Sequence, residues 1–88
     1  MMDTKTLMLG EYVQLESGCY GLVGRVVKVT LDGVEVQTSV GESYSINKSK
    51  SKVTVHKTGE IWRFDKDGKG SNDDGTRECG PWYIVERW

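Results

Sequence analysis

The side chains best suited to binding a ligand by charge are four lysines within one short stretch of the chain. The stretch carries Lys48, Lys50, Lys52 and Lys57, and lysine ammonium groups contact nucleic-acid phosphates whatever the base sequence. In an extended conformation the first three would project to one side and line one edge, whereas the polar segment 47–52 is also compatible with a flexible connection that forms a single 3₁₀ turn. The alternative is a sheet edge protected by lysines against strand addition. The overall balance of 12 basic and 13 acidic residues favours this alternative.

Aromatic side chains are the second group of candidates, because their flat faces stack on bases, sugar rings or proline-rich peptides. The last third of the chain contains all three tryptophans and the only phenylalanine. Alternation places Trp82, Ile84 and Trp88 on one face and Tyr83 and Val85 on the other. A chain this small needs at least half of its aromatic residues for its core. The predicted partner-binding residues are Tyr20, Trp62, Tyr83 and Trp88.

An acidic, glycine-rich segment resembles the opening of an EF-hand calcium loop. Asp65, Asp67, Gly70 and Asp73 have the spacing of loop positions 1, 3, 6 and 9. The fifth and twelfth positions, where oxygen ligands are required, hold instead Lys69 and Thr76. We therefore interpret the segment as a hairpin loop whose Asp, Asn and Gly residues satisfy turn geometry, and we predict no metal site and no cofactor.

Catalytic chemistry has little support in the sequence. His56 is the only histidine, and no serine or cysteine stands at a recognisable spacing from a base. Cys19 and Cys79 lie too far apart for a CxxC motif, so a four-ligand zinc site is excluded. We expect both cysteines to be reduced thiols of a cytoplasmic protein, with a disulfide as the alternative. The chain is predicted not to be an enzyme.

The elements that position these residues are predicted to be β-strands. The 88 residues contain no alanine but eleven valines and eleven glycines, a composition typical of strands and turns. Strands are expected over 11–15, 22–31, 42–46 and 52–56, where polar and apolar residues alternate. The Asp32-Gly33 pair predicts a hairpin with a type I′ turn.

Residues 60–64 and 81–88 are aromatic strands on either side of a Gly/Asp/Asn-rich segment, and we interpret them as a long-looped hairpin. The predicted fold is all-β: a small SH3-like antiparallel barrel with an additional C-terminal aromatic β-hairpin. Residues 1–88 would form one domain, with a barrel core over 10–56 and the hairpin over 58–88 packed on it.

One segment resembles a known family. Residues 10–29, with Gly18, Gly21, Gly24, Val26 and Val29 at the matching positions, are similar to the KOW motif of SH3-like barrels of the NusG and ribosomal-protein type. The resemblance extends over residues 10–56 and implies a binding module in transcription or translation. In that family the loop that corresponds to residues 18–24 often carries basic or aromatic residues that contact RNA or protein. Here the nearest cation is Arg25.

The predicted function is therefore a non-enzymatic binding module. Its predicted nucleic-acid-binding residues are Arg25, Lys48, Lys50, Lys52 and Lys57. The main alternative is a phage or mobile-element adaptor or inhibitor that binds a host protein through the aromatic hairpin, and a weaker one is glycan binding. We expect no membrane association. The sequence leaves open whether the ligand is RNA, DNA or protein, and what the oligomeric state is.

Overall fold

The computed structural model describes residues 4–70 and 81–88. Within these ranges a short 3₁₀ helix, η1, is followed by seven strands. They are η1 (Thr4–Thr6), β1 (Tyr12–Glu16), β2 (Gly21–Thr30), β3 (Gly33–Ser39), β4 (Tyr44–Asn47), β5 (Lys52–Val55), β6 (Thr58–Asp65) and β7 (Tyr83–Arg87). The all-β prediction is confirmed. No helix in this part of the chain has the length and apolar character needed to cross a bilayer.

The strands form two antiparallel units. Five of them build one sheet in the order β6-β3-β2-β1-β7, and β4 pairs with β5 in a separate two-stranded ribbon. Isolated bridges join Phe64 to Gly70 and Lys69 to Tyr83, so residues 68–70 lie between the two outer strands of the sheet. These bridges connect the outer strands at one end only. They do not form a continuous ladder, and the sheet is not a closed barrel.

The predicted C-terminal hairpin is wrong in its pairing. β6 pairs with β3 and β7 pairs with β1, so the two aromatic strands lie at opposite edges of the sheet. The reason is apolar complementarity across the ladder. Phe64 stands opposite Val34, Trp62 opposite Val36, and Ile84 opposite Leu15. Each of these pairs buries its side chains on the same inner face of the sheet. A hairpin formed by β6 and β7 alone would lack the aliphatic partners that β1 and β3 supply.

The inner face of the sheet carries the core. Its buried members are Leu7, Val13, Leu15, Val26, Val34, Val36, Phe64, Trp82 and Ile84. The strict alternation expected along 22–31 breaks at a β-bulge, where the β2–β3 register shifts between Val26 and Lys28. Because a bulge inserts one extra residue, Val26 and Val29 both lie opposite inner-face valines of β3.

The β2–β3 hairpin forms where expected, but its turn differs from the prediction. Thr30 pairs directly with Gly33, so the two loop residues are Leu31 and Asp32. Neither of them has a positive φ, which excludes a type I′ turn. Gly33 is instead the first residue of β3, and a Cβ atom there would clash with the carbonyl oxygen of Phe64. Glycine is favoured at this position both by its backbone φ of 155° and by the close approach of the two strands.

Candidate nucleic-acid interface

The β4–β5 ribbon has one apolar face and one polar face. Residues that are directly opposite share a face in an antiparallel pair. Tyr44 pairs with Val55 and Ile46 with Val53, and these four side chains are buried or half-buried. The other face is exposed and polar, with the pairs Ser45–Thr54 and Asn47–Lys52. The ribbon therefore presents hydrogen-bonding and cationic side chains outward.

The turn of the ribbon carries two of the predicted lysines, Lys48 and Lys50. Successive i→i+3 hydrogen bonds shape it, from Lys50 N to Asn47 O and from Ser51 N to Lys48 O, each 3.3 Å. Asn47 Oδ1 also accepts hydrogen bonds from Ser49 Oγ at 2.8 Å and from Lys50 N at 3.3 Å. The predicted extended line of lysines is therefore wrong. The chain turns back at this point, and Lys48, Lys50 and Lys52 are exposed around the tip of a hairpin.

Lys57 lies at the opposite end of the ribbon. Its carbonyl oxygen accepts a hydrogen bond from Val40 N at 2.9 Å, which ties the base of the ribbon to the segment that follows β3. Four residues separate it from Lys52, and because the strand ends at Val55 and the chain bends at His56 and Lys57, the two lysines are less than about 16 Å apart along the chain. The structure thus divides the predicted basic run into three lysines at the tip and one at the base.

Charge is unevenly distributed between the ribbon and the rest of the chain. Residues 43–59 contain four lysines and neither aspartate nor glutamate. The remaining residues have 8 basic and 13 acidic side chains, because the whole chain has 12 and 13. An electropositive ribbon therefore extends from a net acidic body, and the near-neutral total conceals it. A local charge window along the sequence would have revealed this separation.

Arg25, the fifth predicted nucleic-acid contact, lies on the large sheet and not on the ribbon. It is exposed on the outer face of β2, and its guanidinium carbon is 5.7 Å from the ring centroid of Tyr12 on β1. Tyr12 and Arg25 are directly opposite in register, which places the cation over the ring. Arg25 and the ribbon lysines therefore belong to two different elements.

Of the four predicted partner-binding aromatics, one packs against the core, two are half-buried and one is exposed. Trp62 contacts Trp82 with ring centroids 5.3 Å apart and packs against the core. Tyr83 and Trp88 are half-buried, and the backbone N–H of Trp88 donates to Tyr12 O at 2.8 Å. Tyr20 differs from the other three, since 68% of its surface is exposed. Of these four aromatic side chains, Tyr20 is therefore the one with most of its surface available to a partner.

The resemblance to a calcium loop has a structural explanation at its first residue. Asp65 Oδ1 accepts hydrogen bonds from the backbone N–H groups of Asp67 at 2.9 Å and Lys69 at 3.0 Å. The carboxylate thus holds a tight turn, as aspartate commonly does. Asp73 and Thr76 lie outside the described residues. Within the described ranges, no group of three or more ligating side chains is placed to hold a metal ion.

Cys19 is part of a disulfide bond, contrary to the expectation of a free thiol. The only other cysteine in the sequence, Cys79, lies outside the described residues. The expectation failed because it was derived from an assumed reducing compartment and not from the positions of the two residues in the fold.

Sequence reasoning also missed a contact on the polar face of the ribbon. Ser45 Oγ lies 2.7 Å from His56 Nε2. The two residues are diagonal neighbours across the strands, since Ser45 pairs with Thr54. The pair places two hydrogen-bonding side chains next to each other on an exposed surface.

Comparison with family models, curated proteins and solved structures finds no match for this chain.

Proposed function

We propose that this chain is a non-enzymatic binding module that binds nucleic acid through the β4–β5 ribbon. The observation that carries the proposal is the stretch 43–59, which has four exposed lysines and no acidic side chain. A cationic element on an otherwise acidic body attracts a polyanion while the body repels it, so binding is restricted to one surface.

The physical basis of the proposed binding is counterion release. Each lysine that neutralises a phosphate frees a condensed cation, and the affinity then falls steeply with salt. Lys48, Lys50 and Lys52 surround one tip, so they can contact phosphates of the same backbone together. Lys57 would supply a further contact at the other end of the ribbon.

The resemblance to KOW-containing SH3-like barrels forms part of the proposal. It rests on the residues of 10–29, and of the strands within 10–56 only β1, β2 and β3 are neighbours in the large antiparallel sheet. A role in transcription or translation follows from the same resemblance and stays a prediction.

A cytoplasmic location is also a prediction, and the disulfide of Cys19 is more typical of an oxidising compartment.

The protein-adaptor and glycan-binding alternatives receive less support. Both relied on an exposed aromatic hairpin, whereas Trp62, Tyr83 and Trp88 are half-buried and their strands lie at opposite sheet edges. Tyr20 is the one predicted contact with a largely free ring. A single exposed tyrosine is a small anchor for either ligand class.

Fluorescence anisotropy with labelled DNA and RNA, measured between about 50 and 200 mM salt, tests the proposal. The variant Lys48→Ala/Lys50→Ala/Lys52→Ala should weaken binding at least about tenfold and lower the slope of log K against log salt by about 2.7. The matched control is Lys28→Ala/Lys66→Ala/Lys69→Ala, which removes the same charge from outside the ribbon and should change both quantities little. Failure of the wild-type protein to bind any nucleic acid at the lowest salt would refute the proposal.

A further inference from the structure

The polar face of the β4–β5 ribbon carries side chains that read base edges as well as phosphates. Ser45, Lys52, Thr54 and His56 are all exposed there. Ser45 is directly opposite Thr54 and contacts His56. Lysine donates to guanine O6 and N7, and serine and threonine hydroxyls donate to or accept from base edges. Besides the cationic lysine, this face therefore presents hydroxyl and imidazole groups, which binding to phosphates alone does not require.

The dimensions of the ribbon match a particular groove. It is two strands wide, and among the described residues neither outer edge pairs with another strand. Neighbouring strands lie about 4.8 Å apart, and the major groove of B-DNA, about 12 Å wide, admits a two-stranded ribbon. The major groove of A-form RNA is deep and narrow, and side chains do not read it. The shape of the ribbon therefore favours duplex DNA over duplex RNA.

We propose that the β4–β5 ribbon enters the major groove of duplex DNA with this polar face toward the base edges. This inference rests on the proposed function and names its ligand. Lys52 contacts base edges near the tip, the Ser45–Thr54 pair does so at the middle of the ribbon, and His56 nearer its base. Lys48 and Lys50, in the turn, contact the flanking phosphates. With Lys52 on a base edge, the triple lysine variant should lower the salt slope by about 1.8, for two phosphate contacts, and not by the value for three.

Asn47 acts as a positioning residue in this arrangement. Its Oδ1 atom is engaged by Ser49 Oγ and Lys50 N, so the amide is not free to bond an adenine with both of its polar atoms. It instead holds the turn in which Lys48 and Lys50 are exposed.

The test compares two DNA duplexes of one sequence, of which the second has 7-deazaguanine in place of guanine. This replacement removes the N7 acceptor from the major groove but leaves the base pairs and phosphates intact. Wild-type protein should bind the second duplex at least about fivefold more weakly, because one guanine contact supplies that discrimination. It should also prefer duplex DNA to a duplex RNA of the same sequence.

Single-lysine variants assign the roles. Lys52→Ala should lose the difference between the two DNA duplexes, whereas Lys48→Ala and the control Lys57→Ala should weaken binding to both equally. Thermal melting of each variant verifies that the fold is retained. Equal binding of both DNA duplexes and of duplex RNA would overturn the groove inference and leave the proposed function standing. Absence of binding to every nucleic acid would refute the proposed function itself.

Discussion

Gly24 shows how a single residue can be required by packing rather than by a turn. It lies inside β2 and is buried, opposite Thr38 of β3. A Cβ atom there would clash with Val36 Cγ1 and would stand 3.4 Å from Leu15 Cδ1. Both neighbours are fully buried and have no room to move. The glycine pattern that resembles a KOW motif thus includes a position where the core itself excludes a side chain.

Gly24→Ala should therefore destabilise the protein by about 1–3 kcal/mol, the usual effect of overpacking a dense core. Urea unfolding followed by tryptophan fluorescence measures the change. Gly21→Ala, in the same strand, is the matched control: its Cβ would meet the end of the flexible Gln14 side chain at 3.2 Å. Equal midpoints for the two variants would contradict this explanation.

At the scale of elements, a bidentate ion pair connects the start of β1 with the end of β7. Arg87 Nη2 donates to Glu11 Oε1 at 2.6 Å and Arg87 Nε donates to Oε2 at 2.8 Å. Glu11 Oε1 also accepts from Met8 N at 2.7 Å, and Arg87 Nη1 donates to Thr6 Oγ1 at 3.3 Å. This cluster joins η1, the chain before β1 and the last strand. The cluster adds side-chain contacts to β7, which is an outer strand of the sheet.

Arg87→Lys should lower the free energy of unfolding by about 0.5–1 kcal/mol, because a lysine keeps the charge but loses the forked geometry. The hydrogen-exchange rates of the β7 backbone amides should rise in proportion to this loss of stability. Arg25→Lys is the control, since this exposed arginine lies over the ring of Tyr12, where a lysine can also make a cation–π contact. A larger loss in the Arg25 variant than in the Arg87 variant would show that the bidentate pair does not stabilise the sheet edge.

At the scale of the whole molecule, two features govern behaviour that no single element determines. One is the separation of charge between the ribbon and the acidic body, which directs the proposed ligand to one surface. The other is the disulfide of Cys19, in the loop between β1 and β2. A cross-link between distant parts of a small domain restricts its unfolded chain and so stabilises the fold.

Cys19→Ser should consequently lower the stability by about 2–4 kcal/mol and should make the melting temperature insensitive to reductant. The wild-type protein should melt at a lower temperature after reduction, close to that of the variant. Differential scanning calorimetry with and without dithiothreitol measures both effects. A melting temperature unchanged by both the reductant and the substitution would show that the disulfide does not contribute to folding stability.

The sequence was sufficient to predict those features of the fold that depend on residues close together in the chain. Alternation identified β1, β2, β4 and β5 within one or two residues, and the absence of alanine indicated an all-β fold. The position of the β2–β3 hairpin and the exposure of Lys48, Lys50 and Lys52 also followed from local patterns. Side-chain periodicity and turn composition report on the conformation of a few consecutive residues, and these predictions needed nothing more.

Only the tertiary structure decided which strands pair and where each side chain lies as a result. β6 and β7 resembled a hairpin in sequence, yet each extends a different edge of the sheet. The bulge at Val27, the disulfide of Cys19 and the Ser45–His56 contact also depend on distant residues. Strand register is set by burial against partners far away in the chain, and periodicity within a strand contains no information about those partners.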